Sequence, residues 1–132
     1  MIYLLDTNAI SDILNKNEIV LVNLKKHEGA NIYLCQPTYY EVLRGILKKN
    51  AIRQEQILKG RLKNMFLWES VLEQDWVEAA YLWAKMVSSG RQLSDMDLLI
   101  AVIAKRLNAI LVTSDNDFMV LGLTIENWRL PK

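Results

Sequence analysis

Six acidic side chains stand where a fold could gather them for chemistry: Asp6, Glu41, Asp95, Asp97, Asp115 and Asp117. Other catalytic side chains are scarce. One cysteine, Cys35, excludes an intrachain disulfide framework and a multi-cysteine zinc site. One histidine, His27, excludes a His-rich metal site and leaves a single candidate base for a nucleophilic triad. Both read as structural residues. Carboxylate oxygens without imidazole or thiolate favour a hard cation, Mg²⁺ or Mn²⁺. Such a cation keeps several waters and suits phosphodiester hydrolysis through a metal-activated water.

Each acid also has a plainer role. Asp6 could cap a helix. Thr38-x-x-Glu41 fits a capping box, and Glu41 lies three residues before Arg44. Ser94-x-x-Asp97 fits the same box, with Asp95 favoured by the helix dipole. Asp115 and Asp117 suit a turn before Phe118. Taken together, these roles fall short. Two unit charges about 4 Å apart repel by about 4 kcal/mol at an effective dielectric near 20. A cluster of four must protonate or hold a cation. Asp97 is the sharpest case, the only polar residue between Met96 and Ala104, in a helix apolar all round and so expected to be buried.

Convergence of these acids depends on the elements that carry them. Ile2–Leu5, Ile32–Cys35, Phe66–Val71 and Ala109–Thr113 predict strands, and Thr124–Trp128 an edge strand. Helical patterns are predicted over 8–15, 18–27, 37–49, 51–65, 75–88 and 94–107. Pro37 opens one of these, while Gly29 and Ser89-Gly90 close others. Strands apolar throughout and separated by helices predict the α/β class, a three-layer α/β/α sandwich. Its central sheet is expected to be mainly parallel, with four to five strands, in a single domain over residues 1–132. In a parallel sheet, strand carboxyl ends and helix amino ends share one edge. All six acids fall at that edge.

Four motifs now stand in order: Asp6-Thr7-Asn8, Glu41-Val42-Leu43-Arg44-Gly45, Asp97-Leu98-Leu99-Ile100-Ala101 and Thr113-Ser114-Asp115-Asn116-Asp117-Phe118. Together they resemble the PIN-domain family, and within it the VapC-type toxins of bacterial toxin–antitoxin pairs. The motifs cover nearly the whole chain. The resemblance implies a PIN-like fold and a Mg²⁺- or Mn²⁺-dependent endoribonuclease. Asp6, Glu41 and Asp97 match the core metal ligands, and Asp115 the fourth acid, with Asp117 beside it or in its place. Asn8 and Thr113 match positions that support the site by hydrogen bonds. Gly45 matches too, which helps account for a glycine inside a helix at about 1 kcal/mol. A VapB-type antitoxin is the implied partner, its C-terminal segment lying across the site. Two departures stand out. Val102 replaces a second alanine, and Asp95 adds a carboxylate about 200° around the helix from Asp97. Only Asp97 is assigned to the metal.

The composition is consistent with that resemblance. A chain of 132 residues accords with one domain and can bury about two-thirds of its unfolded surface. The net charge of +1 hides a segregation: Arg44, Lys48, Lys49, Arg53, Lys59, Arg61 and Lys63 face only Glu55 within residues 44–63. That segment carries +6 and the rest of the chain −5. A basic helical pair beside an acidic site suits an RNA backbone, with Arg44, Lys48, Lys49 and Arg53 as candidate contacts. A merely solvated helix face is the competing reading. The longest apolar run, Leu98–Ala104, is too short to span a bilayer, and Met1–Leu5 lacks a basic leader, so a soluble cytoplasmic protein is expected. Hydrophobic residues at 52% are compatible with a homodimer. Trp68, Trp76, Trp83 and Trp128 are expected in packing, with Trp76 and Trp83 forming a buried stripe on one helix face.

Two rival functions are distinguishable. A haloacid-dehalogenase-like phosphatase wants Asp-x-Asp after the first strand, where this chain has Asn8. A non-catalytic PIN-like module that binds RNA or protein would be expected to lose acids, and all four positions are filled.

Overall fold

The computed structural model describes residues 1–131. Among them, β1 (Ile2–Leu5), β2 (Asn31–Cys35), β3 (Leu67–Glu69), β4 (Ile110–Val112) and β5 (Ile125–Glu126) form one sheet in the order β3-β2-β1-β4-β5. All four pairings are parallel. The helices between them are α1 (Thr7–Leu14), α2 (Glu18–Lys26), α3 (Gln36–Lys48), α4 (Ile52–Ile57), α5 (Lys63–Met65), α6 (Glu73–Ser88) and α7 (Asp95–Leu107). They cover both faces, which is the expected α/β/α arrangement. β1 is apolar throughout because it is buried on both sides. Tyr3 and Leu5 enter a core with Ile10, Val42 and Ile46, while Leu4 enters a second core with Leu98–Ala104.

Register sets the level of the site. Leu5 pairs with Leu34 on one side and Val112 on the other. Asp6 therefore leaves the sheet at the same height as Cys35 and Thr113. α3 packs against both α1 and α7, and this junction sits above the carboxyl edge of the central strands. Pro37 lies in the first turn of α3, where its missing N–H costs no helix bond. Gly29 makes the left-handed turn into β2, at φ 91°, as its position after the second helical pattern suggests.

Several expectations need correction. The helix predicted over 51–65 is broken into α4, a π-helical turn at Leu58–Leu62 and α5. The wider turn carries Leu58 and Leu62 into the core. Strands predicted over 66–71, 109–113 and 124–128 are shorter, and at their carboxyl ends pairing stops where the neighbouring strand ends. Trp76 and Trp83 do share a face of α6, but it is the outer one, and they are 56% and 50% exposed. Asp75, Ala79 and Met86, about 60–100° around the helix, turn inward instead. Trp128 is buried and Trp68 partly so. His27 stacks on Trp128 at 4.6 Å and meets Tyr3 edge-on at 4.8 Å, and Cys35 is a buried free thiol, so both are structural. No helix among the described residues is long and apolar enough to cross a membrane.

Candidate active site

Asp6 serves two roles at once. Its Oδ1 accepts from the Ala9 N–H at 2.8 Å and so caps α1, the plainer role foreseen for it. The cap also locks the carboxylate over the sheet edge, where the side chain is buried. Burial pushes its pKa from 3.8 up to about 6, against hydrogen bonds from Thr113 and Ala9 that favour the charged form. The charges of Asp97 and Asp115 add to the rise.

Glu41 comes from the second turn of α3. The Thr7 hydroxyl donates to its Oε1 at 2.6 Å, and Arg44 Nη2 lies 3.4 Å from Oε2. The capping box expected for Thr38 and Glu41 does not form. α3 starts earlier, with Cys35 at its N-cap, and Thr38 is buried with its hydroxyl donating to Leu5 O at 3.4 Å.

Asp97 lies in the first turn of α7, behind Ser94, whose hydroxyl accepts from the Asp97 N–H at 3.2 Å. Its side chain is half-buried rather than enclosed. Burial is again the largest influence and pushes its pKa to about 6, with the charge of Glu41 next and those of Asp115 and Asp117 contributing. Asp95 is exposed and lies in a groove with Trp76, Trp83 and Met96, away from these acids.

Thr113 ends the β4 segment, and its hydroxyl accepts from the Asp115 N–H at 3.0 Å while bonding to Asp6. Asp115 caps the 3₁₀ turn Asn116–Leu121 by accepting from the Asp117 N–H at 2.9 Å. Asp115 is half-buried and Asp117 exposed. Asp6, Glu41, Asp97, Asp115 and Asp117 are thus linked by mutual repulsion, and Thr113 supports two of them. Asn8 is exposed, and support on this side comes from Thr7 instead. Thr7 was missed as a site residue. The only signal for it was a hydroxyl at the first helical position after Asp6.

The donor set can be tested against a hard cation. Asp6, Asp97, Asp115 and Asp117 form no ion pair with a basic side chain among the described residues. Repulsion among carboxylates is what a metal ion would relieve. Among the described residues, no three acids, histidines or cysteines stand close enough together to hold a metal ion as they are placed. What fits a hard divalent cation is the chemistry of the donors, carboxylate oxygens without imidazole or thiolate.

The basic segment is only partly adjacent. Arg44 touches Glu41, and Lys49 lines a shallow depression with Glu41, Gly45, Gln54 and Ser11. Lys48 and Arg53 are exposed on the same helical pair without contacting an acid.

A model of the PIN domain family matches residues 3–122. The chain belongs to the PIN domain family. This sets aside the haloacid-dehalogenase-like alternative. The PIN domain is similar to the solved VapBC2 of Rickettsia felis bound to a promoter DNA fragment, at 26% identity and a TM-score of 0.86. That match covers 97% of this chain and 99% of the other. VapBC-1 of nontypeable Haemophilus influenzae matches over 98% of this PIN domain and 100% of its own chain, at 24% identity and a TM-score of 0.78. VapC20 of Mycobacterium tuberculosis, a Sarcin-Ricin loop cleaving toxin, shares the fold at 13% identity and a TM-score of 0.77, over 92% of this PIN domain and 95% of that chain. A search of curated protein sequences finds no match.

Proposed function

We propose that this PIN domain is a VapC-type endoribonuclease toxin, using Mg²⁺ or Mn²⁺ to hydrolyse RNA phosphodiester bonds. One observation carries the reading: Asp6 and Asp97, from sequence-distant segments, meet at one sheet edge, and neither forms an ion pair with a basic side chain among the described residues. The similarity to VapBC chains and to a toxin that cleaves the Sarcin-Ricin loop supports it.

Asp6, Glu41, Asp97 and Asp115 would hold the cation, with Asp117 at the mouth. Bound there, a divalent ion supplies an activated water and neutralises charge on the phosphate. The protein's own part is orientation. Ala9 N–H and Thr113 fix the Asp6 carboxylate, and Thr7 fixes Glu41. Arg44 presents a guanidinium at the rim, and Lys48, Lys49 and Arg53 extend that positive rim for neighbouring phosphates. A VapB-type antitoxin is the proposed neutralising partner, as in the VapBC complexes. A homodimer is the proposed assembly, since Trp76, Trp83 and Val87 leave an apolar face on α6 exposed. Residues 1–132 would form one domain.

The deciding experiment incubates the purified protein with RNA in EDTA, Mg²⁺ or Mn²⁺. Cleavage is expected only with metal, and Asp6→Asn or Asp97→Asn should abolish it while keeping the fold. If both variants cut as fast as the parent, the site is wrongly assigned.

A further inference from the structure

Tyr39 and Tyr40 are neighbours on α3 with opposite fates. Tyr39 is used in packing: its ring meets Trp68 edge-on at 5.4 Å, and the Lys63 ammonium lies 5.2 Å from its centre. Tyr40, about 100° around the helix, is 51% exposed. Among the described residues its ring has one such partner, Arg44, whose guanidinium carbon lies 5.1 Å from the ring centre. The same guanidinium reaches Glu41 at 3.4 Å. A single arginine thus ties an exposed aromatic ring to one of the acids of the site. The ring is half outside the fold, yet it has a fixed partner in Arg44.

We propose that Tyr40 is the stacking platform for an unpaired base next to the scissile phosphate. The inference rests on the ribonuclease reading above. Aromatic side chains beside a basic groove bind single strands because every base has a π-face. Arg44 contributes twice. It braces the ring by a cation–π contact and presents charge where the adjoining phosphate would lie. The bridge through Arg44 keeps ring and Glu41 within reach of one nucleotide. Duplex RNA keeps its bases stacked inside an A-form helix and offers its surroundings mainly sugar and phosphate. It cannot lay a base on Tyr40. Stacking is sequence-tolerant, so Tyr40 selects strandedness and leaves sequence choice to other contacts.

The test measures binding and cleavage separately. Asp97→Asn protein in Mg²⁺ is titrated into fluorescein-labelled random-sequence single-stranded RNA and into a matched duplex, followed by anisotropy. Adding Tyr40→Ala should weaken single-strand binding about tenfold, in line with loss of one stacked base, and change duplex binding less than twofold. Tyr40→Leu should lose as much, since it keeps apolar bulk without the π-face, and Tyr40→Phe should restore most of the affinity. Unchanged single-strand binding in Tyr40→Ala overturns the proposal, as does an equal loss on duplex. Loss in Tyr40→Phe as large as in Tyr40→Ala also overturns it, because the hydroxyl would then be the contact. Cleavage by the parent protein in Mn²⁺ reports on the nuclease reading alone. Tyr40-dependent binding without any cleavage sinks that reading and leaves the platform. Cleavage with unchanged binding in Tyr40→Ala does the reverse.

Discussion

The Thr7 hydroxyl donates a 2.6 Å hydrogen bond to Oε1 of Glu41, joining the first turn of α1 to the second turn of α3. It fixes an acid that would otherwise swing with its own helix surface. A hydrogen bond to a charged group is worth about 1.5–3 kcal/mol. Thr7→Val should therefore lower kcat on RNA by about tenfold or more, while Thr7→Ser retains most activity. Activity read well below the melting temperature of each variant separates positioning from unfolding, since a bond of this strength also contributes several degrees to that temperature.

Like charges held together without a counter-ion weaken the metal-free fold. Asp97→Asn removes one of them at nearly constant volume. Without metal, its melting temperature should equal or exceed the parent's. Mn²⁺ should raise the parent's melting temperature and leave that of Asp97→Asn unmoved, as binding to the native state stabilises it by mass action. An equal Mn²⁺ shift in both proteins would place the cation elsewhere.

Away from the site, Arg106 holds β3, α6 and α7 together. Its Nε and Nη2 reach Asp75 Oδ1 and Oδ2 at 2.9 Å each, and its Nη1 pairs with Glu69. Asp75 is buried, and burial alone would raise its pKa. The hydrogen bonds from Arg106 and the Leu72 N–H outweigh this and hold the carboxyl below 3.8. A depressed carboxyl stabilises the fold fully above its unfolded pKa and loses that contribution as pH falls through the folded value. Urea midpoints should thus fall from pH 5 toward pH 3 in the parent, and less steeply in Arg106→Met. At neutral pH, Arg106→Met should cost about 3 kcal/mol, because it strands a buried charge.

Gly45 needs no left-handed backbone, and a Cβ built there meets nothing within 4 Å. Gly45→Ala should stabilise α3 by about 0.5–1 kcal/mol, read from the urea midpoint. Gly45 also shares its depression with Glu41 and Lys49. A fall in RNA cleavage despite the stability gain would show that substrate passes over the glycine.

The sequence by itself determined the order and type of the elements and the chemistry of the donors. Period and apolar runs are local, so the strands, the covered parallel sheet and the acids at its carboxyl edge were readable from the chain. Scarcity of histidine and cysteine leaves carboxylates as the candidate donors. Contacts between segments were not readable, because they depend on how far each helix is rotated and where it crosses its neighbours. Seven-residue spacing put Trp76 and Trp83 on one face of α6, but only packing against α7 turned Asp75, Ala79 and Met86 inward and left the tryptophans outside. Thr7 found Glu41, and Arg106 found Asp75 and Glu69, across gaps that no local rule spans. Tertiary structure also decided the electrostatics. Capping accounts for Asp6 and Asp97 one at a time, and it is their approach at the edge of the sheet, with Asp6 buried there, that makes them a candidate site.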